Sequence, residues 1–296
     1  MNLILLQARL SGQKAFGANM LSARCRLCGG EKPRFIKKEK EWDVLECNVC
    51  KFVYVAPLPT EAFLYSHYQS YLPAKESDIN QWRVMMSGVF RKSLNAIEAR
   101  YGRQRGTLLD IGCGYGFFLE MAGQSGWDVH GLEPCAHARD YAVSKMLNVD
   151  SENLFVRAYK TETFDVVTLF YVLEHLPEPL RYLNEINRIL KPGGLLLVRV
   201  PHTTPLVKVL KIFNIQNQLY DVPSHLSDFS PRTIALALEK TGFNDIHTFP
   251  GGATRPNPIF ERITSIGSGI IADVLYNISG KWLLVPGISK TTIARK

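Results

Sequence analysis

Nowhere in the 296 residues does an apolar run approach the roughly 20 residues that a helix needs to cross a bilayer. The opening Met1-Asn2-Leu3-Ile4-Leu5-Leu6 is too short for the apolar core of a signal peptide, and no positive charge precedes it. These absences predict a cytoplasmic protein with no transmembrane segment. A concentrated block of like charge is missing too. The formal net charge is +8, yet the basic residues are scattered, and their one modest cluster is Lys37-Lys38-Glu39-Lys40. A solvated surface explains this better than a nucleic-acid groove, so nucleic acid is not the expected partner. Cysteine is scarce: there are six, and four of them fall in two tight pairs. In a cytoplasmic protein that pattern favours metal over disulfides.

With 46% hydrophobic and 21% charged residues, the chain is otherwise ordinary for a globular protein. Residues 1 to about 20 show no clear periodicity and are expected to form a loosely held leader. Next, Cys25-Arg26-Leu27-Cys28 and Cys47-Asn48-Val49-Cys50 are separated by 18 residues. Two such pairs fit a zinc site built from two knuckles, each supplying two thiolates. Gly29-Gly30 suits the turn behind the first knuckle, Trp42 to Cys47 alternates like a strand, and Phe52-Val53-Tyr54-Val55 begins another. Residues 21–75 are therefore read as a zinc-ribbon-like domain, with Cys25, Cys28, Cys47 and Cys50 as ligands. So small a unit builds little core, so metal would supply most of its folding free energy. Four sulfurs leave no open coordination position, which makes the expected Zn(2+) structural. The aromatic stretch of Tyr65, His67, Tyr68 and Tyr71 is read as packing the ribbon onto the next domain rather than covering a pocket.

The rest of the chain is organised around Leu108-Leu109-Asp110-Ile111-Gly112-Cys113-Gly114-Tyr115-Gly116-Phe117. Apolar residues, a carboxylate and three alternate glycines describe a buried strand, a tight turn and a helix start. Such a turn lets a ligand lie against the backbone, with the first helical N–H groups pointing at it. Before it, residues 79 to 99 carry one apolar helical face. After it, strands are expected at 127–133, 147–149, 164–170, 195–200, 243–249 and 291–295, with helices at 136–147, 178–190 and 231–241. This alternation predicts an α/β fold, a doubly wound, seven-stranded, mainly parallel sheet with ligands at the carboxyl ends of its strands. The gap at about 250–290 is too long for a bare loop. Isoleucines at helical spacing there predict a helix that caps the pocket or gives a self-association face, and with it a homodimer.

A dinucleotide fingerprint would need glycine at position 117, where the chain has Phe117. Glu133, 23 residues after Asp110, can accept both hydroxyls of an adenosine ribose. Together with Glu174-His175-Leu176 and Leu190-Lys191-Pro192-Gly193-Gly194, the run from Leu108 to Glu133 resembles S-adenosylmethionine-dependent class I methyltransferases. The cysteine pairs ahead of it are similar to members with an N-terminal cysteine motif. The resemblance covers about residues 25 to 250 and makes 76–296 the methyltransferase domain. It implies S-adenosyl-L-methionine as cofactor, with Asp110 at its amino end and Gly112, Gly114 and Gly116 against its methionine part. It further implies Glu133 on the ribose, Phe170 near the sulfonium, and either Asp150 or Glu152 at the adenine.

An alcohol or phenol acceptor benefits from a base that works near neutrality, for which histidine is the natural choice. His225 is the first candidate and His175 the second; His202 could equally shape the substrate floor. The Asn-Pro-Pro-Tyr motif of amino-group methyltransferases is absent after the fourth strand, where the chain reads Phe170-Tyr171-Val172-Leu173-Glu174. Sugar C-methyltransferases with N-terminal cysteines typically place Tyr-x-Glu-His where this chain has Val222-Pro223-Ser224-His225. The expectation is an enzyme that methylates a hydroxyl of a sugar, lipid-like or other small molecule. The alternatives are an RNA methyltransferase, a sugar C-methyltransferase, or a non-catalytic zinc- and cofactor-binding module.

Overall fold

The computed structural model describes residues 24–102, 105–256, 259–280, 283–285 and 289–296; the expected leader at 1–20 lies outside them. The first element is an antiparallel sheet of β1 (Arg34–Glu39), β2 (Trp42–Glu46) and β3 (Val53–Ala56). Helix α1 (Glu61–Gln69) follows, with the Thr60 hydroxyl accepting the Phe63 N–H at its start. Helix α2 (Glu76–Tyr101) buries Met86, Val89, Phe90, Leu94 and Ile97, the apolar face that the sequence predicts.

The main sheet comprises β4 (Thr107–Ile111), β5 (Asp128–Leu132), β6 (Asn148–Asp150), β7 (Phe164–Phe170), β8 (Leu190–Val200), β10 (Asn244–Pro250) and β11 (Lys290–Arg295). Its order is β10-β11-β8-β7-β4-β5-β6. The five strands from β8 to β6 run parallel, and β11 is antiparallel to both of its neighbours. Successive residues alternate between two cores. Leu109, Val167, Leu196 and Val198 enter one, and Leu108, Val166, Leu195 and Leu197 the other. Strands covered on both faces need such uninterrupted apolar runs. The helices that cover them include α3 (Phe117–Gln124), α4 (Ala136–Ser144), α5 (Leu154–Arg157), α6 (Pro179–Ile189) and α8 (Pro231–Lys240), the last opened by a Ser230–Thr233 capping box.

Three features differ from the sequence reading. Lys191-Pro192-Gly193-Gly194 does not precede the fifth strand but lies within it, because β8 starts at Leu190 and absorbs a register shift opposite Phe164 and Val166. Helix α7 (Thr204–Ile212) fills a stretch that carries no clear pattern. Most consequential is β9 (Ser227–Asp228), which leaves the main sheet and pairs with β3, giving the order β1-β2-β3-β9.

Nor is the ribbon a self-contained unit. Leu27, Phe52 and Tyr54 belong to the same buried cluster as Leu183, Phe229 and Ile234, and the Phe52 and Phe229 rings lie 5.0 Å apart. Its stability thus draws on a core shared with the rest of the chain. The insertion carries α9 (Ile259–Ile278), which docks through Tyr276 on Thr248 and through Asp273 on Lys92. Among the described residues, no helix is long and apolar enough to cross a membrane.

Candidate active site

A cavity of about 440 Å³ opens at the carboxyl ends of β4, β5, β7 and β8, where the glycine turn lies. Gly112 and Gly116 hold φ of +71° and +76°, in the left-handed region that favours glycine. A Cβ on Gly112 would meet Val172 Cγ2 at 2.5 Å, so any side chain at this position would have to displace Val172 as well as strain the backbone. Gly114, φ +56°, lines the cavity, and a Cβ there would rest in ordinary contact with Leu72 Cδ1 at 3.6 Å. The Glu133 carboxylate ties the turn down, accepting the Gly114 N–H at 2.7 Å and the Cys135 N–H at 2.8 Å.

Asp110 is buried at the end of β4, where its carboxylate accepts the Thr168 hydroxyl at 2.7 Å. Burial pushes the Asp110 carboxyl up to about 8 against that hydrogen bond, and Glu133 adds to the rise. Burial raises Glu133 as well. Glu152 is the third carboxylate of the wall, whereas Asp150 turns to an ion pair with Arg157 at 3.0 Å. Phe170 closes this side, its ring 5.1 Å from Phe90 and 4.7 Å from Phe118. Next to it, Tyr171 takes a left-handed φ of +57°, and its hydroxyl accepts from the buried Arg199 at 2.8 Å.

The opposite wall brings His175 and His225 together, with ring centroids 4.9 Å apart. Ser224 O accepts from His175 Nδ1 at 2.7 Å and from the Tyr68 hydroxyl at 2.9 Å. Tyr68 and Tyr71 both line the cavity, and the Tyr71 ring sits 5.5 Å from that of His175. Two residues of the aromatic stretch, Tyr68 and Tyr71, are therefore part of the pocket wall, whereas Tyr65 is exposed and His67 does not line the cavity. Trp82, Met85 and Met86 of α2 extend the apolar wall; as a helical stripe they look like ordinary core. His202 is buried beside Pro201 but does not line the cavity. From the insertion, Thr254 reaches the wall, whereas no described residue of α9 does.

Glu174 is fully enclosed, with no hydrogen-bond partner for either carboxylate oxygen among the described residues, and burial pushes it up to about 8. One oxygen of Glu174 and one ring nitrogen each of His175 and His225 lie within 4.8 Å of one another. Burial, reinforced by His225, pushes His175 down to about 3. The unfolded chain protonates this ring near 6.5, so at acid pH it binds the extra proton. The stability that the neutral ring contributes is complete above 6.5. It is lost as pH falls towards 3, by at most about 1.4 kcal/mol per pH unit. His175→Asn is expected to flatten this acid limb in urea midpoints measured from neutral to acid pH. A limb parallel to the parent's would show that the ring is not held neutral.

Away from the cavity, the Sγ atoms of Cys25, Cys28, Cys47 and Cys50 gather within 4.8 Å of one another. The Cys25–Cys50 and Cys28–Cys47 pairs are each 3.5 Å apart. A tetrahedron of 2.3 Å metal–sulfur bonds has edges of about 3.8 Å, so the four fit one tetrahedral ion.

Residues 85–248, a span holding the glycine turn, Glu133, Phe170 and both cavity histidines, match the methyltransferase domain family. The chain belongs to that family. This methyltransferase domain is 30% identical over 159 residues to the ubiquinone biosynthesis O-methyltransferase of Pseudomonas paraeruginosa, covering 51% of this chain and 64% of that protein. It is likewise 30% identical over 133 residues to the enzyme of that name from Haemophilus ducreyi, covering 41% and 56%. The chain thus spans less than two thirds of the length of these relatives. Among solved structures, it shares its fold with a SAM-dependent methyltransferase from Archaeoglobus fulgidus, at TM-score 0.52 and 19% identity over 75% of this chain and 100% of that one. The same holds for Haemonchus contortus phosphoethanolamine N-methyltransferase 2 in complex with S-adenosyl-L-methionine, at TM-score 0.51 and 17% identity, with coverage of 82% and 62%.

Proposed function

We propose that this chain transfers a methyl group from S-adenosylmethionine to a hydroxyl of a small, largely apolar or aromatic acceptor. The observation that carries the reading is the charge pattern of the cavity. Asp110, Glu133 and Glu152 line it, and no described lysine or arginine does. Carboxylates clustered without a cation suit a ligand that brings positive charge, as the ammonium and sulfonium of this cofactor do. Gly112 and Gly114 line the cavity themselves, which fits a ligand lying against the backbone. In the proposed assignment, Asp110 holds the amino end, Glu133 the ribose hydroxyls and Glu152 the adenine. Gly112, Gly114 and Gly116 shape the bed, and Phe170 flanks the reacting centre.

When bound, the cofactor supplies an electrophilic methyl with a good leaving group. The chain must then align the acceptor and remove its proton. Tyr68, Tyr71, Trp82, Met85 and Met86 offer a flat apolar wall for an aromatic or lipid-like body and keep water out. Alignment of this kind contributes on the order of 7–11 kcal/mol in favourable systems. His225 is the proposed base. Burial lowers it, against the pull of Asp221 and Asp228, so its lone pair is free at neutral pH. His175, at about 3, is too weak a base for the task and orients its neighbour. The ubiquinone-pathway names of the relatives support an oxygen acceptor, and the apolar wall supports a hydrophobic one.

We further propose that Cys25, Cys28, Cys47 and Cys50 hold a structural zinc ion in a ribbon at residues 21–75. The outward face of α9, with Ile263, Ile270, Ile271 and Ile278 exposed, supports its reading as a self-association face.

His225→Ala is expected to lower turnover by about 100- to 10,000-fold with little change in cofactor affinity. The assay uses methyl-labelled cofactor and cell extract split into RNA, lipid and small-molecule fractions. Label confined to RNA would sink the proposed acceptor class, and unchanged turnover would remove His225 as the base.

A further inference from the structure

The loop that carries His225 into the cavity is gripped by the ribbon. The Val55 N–H donates to the Leu226 carbonyl at 3.0 Å, and Tyr54 and Val53 of β3 pair with Ser227 and Asp228 of β9. A third hold comes from Arg26, whose Nη2 donates to the same Leu226 carbonyl at 2.8 Å. The Leu226 N–H in turn donates to the Glu174 carbonyl at 2.8 Å. The residue next to His225 is thus clamped between the ribbon and the turn bearing Glu174 and His175.

Arg26 lies inside the first cysteine pair. The Cys25 N–H donates to the Gly30 carbonyl at 2.9 Å, and the Gly29 N–H to the Cys25 carbonyl at 2.8 Å, which closes the knuckle around it. The guanidinium carbon sits 5.6 Å from the Tyr54 ring centroid. Its Nε and Nη1 are buried without a hydrogen-bond partner among the described residues. Desolvating a guanidinium for a single hydrogen bond is unfavourable by itself. The knuckle and the ring therefore impose its position. Four thiolates around a divalent ion would carry net negative charge, which a guanidinium one residue from Cys25 complements.

We propose that Arg26 is a positioning residue of the active site, linking the four-sulfur cluster to the loop that presents His225. The inference rests on the reading of His225 as the base. It gives the ribbon a task beyond stability, since displacing a catalytic group by about 1 Å can cost on the order of 100-fold in rate.

The test compares Arg26→Gln and Arg26→Lys with the parent in the zinc-loaded full chain. Readouts are zinc content, calorimetric affinity for S-adenosylmethionine, the imidazole NMR signals of His225 through a pH titration, and labelled methyl transfer. Arg26→Gln is expected to keep its zinc and to bind cofactor within about twofold of the parent. Its His225 signals should move, with titration rising towards that of an exposed histidine as water enters the loosened loop, while His130 on β5 stays put. Transfer should fall on the order of 100-fold. Arg26→Lys, which keeps a single donor, should recover part of both effects. Unmoved His225 signals in zinc-loaded Arg26→Gln would overturn the proposal. Loss of zinc from both variants would also overturn it, by assigning Arg26 to the knuckle's own folding. If His225→Ala turns over normally, the base reading fails, yet the His225 signals of the Arg26 variants still report whether the loop is held from the ribbon.

Discussion

With the proposed zinc in the four-cysteine site, stripping it is expected to lower the unfolding temperature by about 10 °C or more and to loosen β3 together with β9. Structural zinc contributes roughly 10–16 kcal/mol of binding free energy in isolated fingers. In a domain of this size, each kcal/mol is worth about 2–4 °C. Only part of the metal's contribution should appear here, because Leu27, Phe52 and Tyr54 are also held by the core they share with Phe229 and Ile234. The ribbon should therefore fray rather than unfold on its own. Cys47→Ser should mimic chelation, since three remaining thiolates do not close a tetrahedral site. Scanning calorimetry with and without chelator measures the shift, and hydrogen exchange at residues 53–56 and 226–228 locates it. An unchanged melting temperature, with no new exchange in these strands, would leave the cysteine cluster without a structural role.

The second large effect is expected from Glu133→Ala, which should weaken S-adenosylmethionine binding by on the order of 100-fold or more. In the proposed assignment this carboxylate does two things. It receives two ribose hydroxyls, and hydrogen bonds to a charged group contribute about 1.5–3 kcal/mol each. It also accepts the Gly114 and Cys135 N–H groups, so its loss frees the turn on which the cofactor lies. Glu133→Gln separates the two roles in part. The amide keeps one acceptor oxygen but turns an N–H towards one of the two backbone donors, so an intermediate affinity is expected. Calorimetric titration of both variants measures this. Parent-like affinity in Glu133→Ala would move the ribose elsewhere in the cavity.

The main sheet is legible in the sequence because its strands are buried on both faces and so appear as apolar runs, as in Leu108-Leu109 and Leu195-Leu196-Leu197-Val198. The glycine-turn side of the cavity is legible for a related reason: a turn that accepts positive φ and close approach needs glycine, and its anchor Glu133 directly follows the adjacent strand β5. The four-cysteine cluster is legible because the spacing within its two pairs is a local pattern. What escapes is whatever depends on partners distant in the chain. β9 is two residues long and is a strand only because β3 lies beside it. Tyr68 and Tyr71 carry no local mark of a pocket wall; their role comes from the end of α1 and the residues after it lying against His175 and Ser224. Asp150 and Glu152 are equivalent as sequence, and only the position of Arg157 draws Asp150 away. The place of His225 is fixed by contacts to the ribbon and to Glu174 that no periodicity records.

The central claim is that the cavity over Asp110–Gly116 receives S-adenosylmethionine as methyl donor. Calorimetric titration of the full chain with this cofactor tests it most directly. The expected result is saturable binding at a single site, weakened by Glu133→Ala and unaffected by His225→Ala. Absence of saturable binding by the intact, zinc-loaded chain would contradict it and leave a member of the fold that does not use the cofactor.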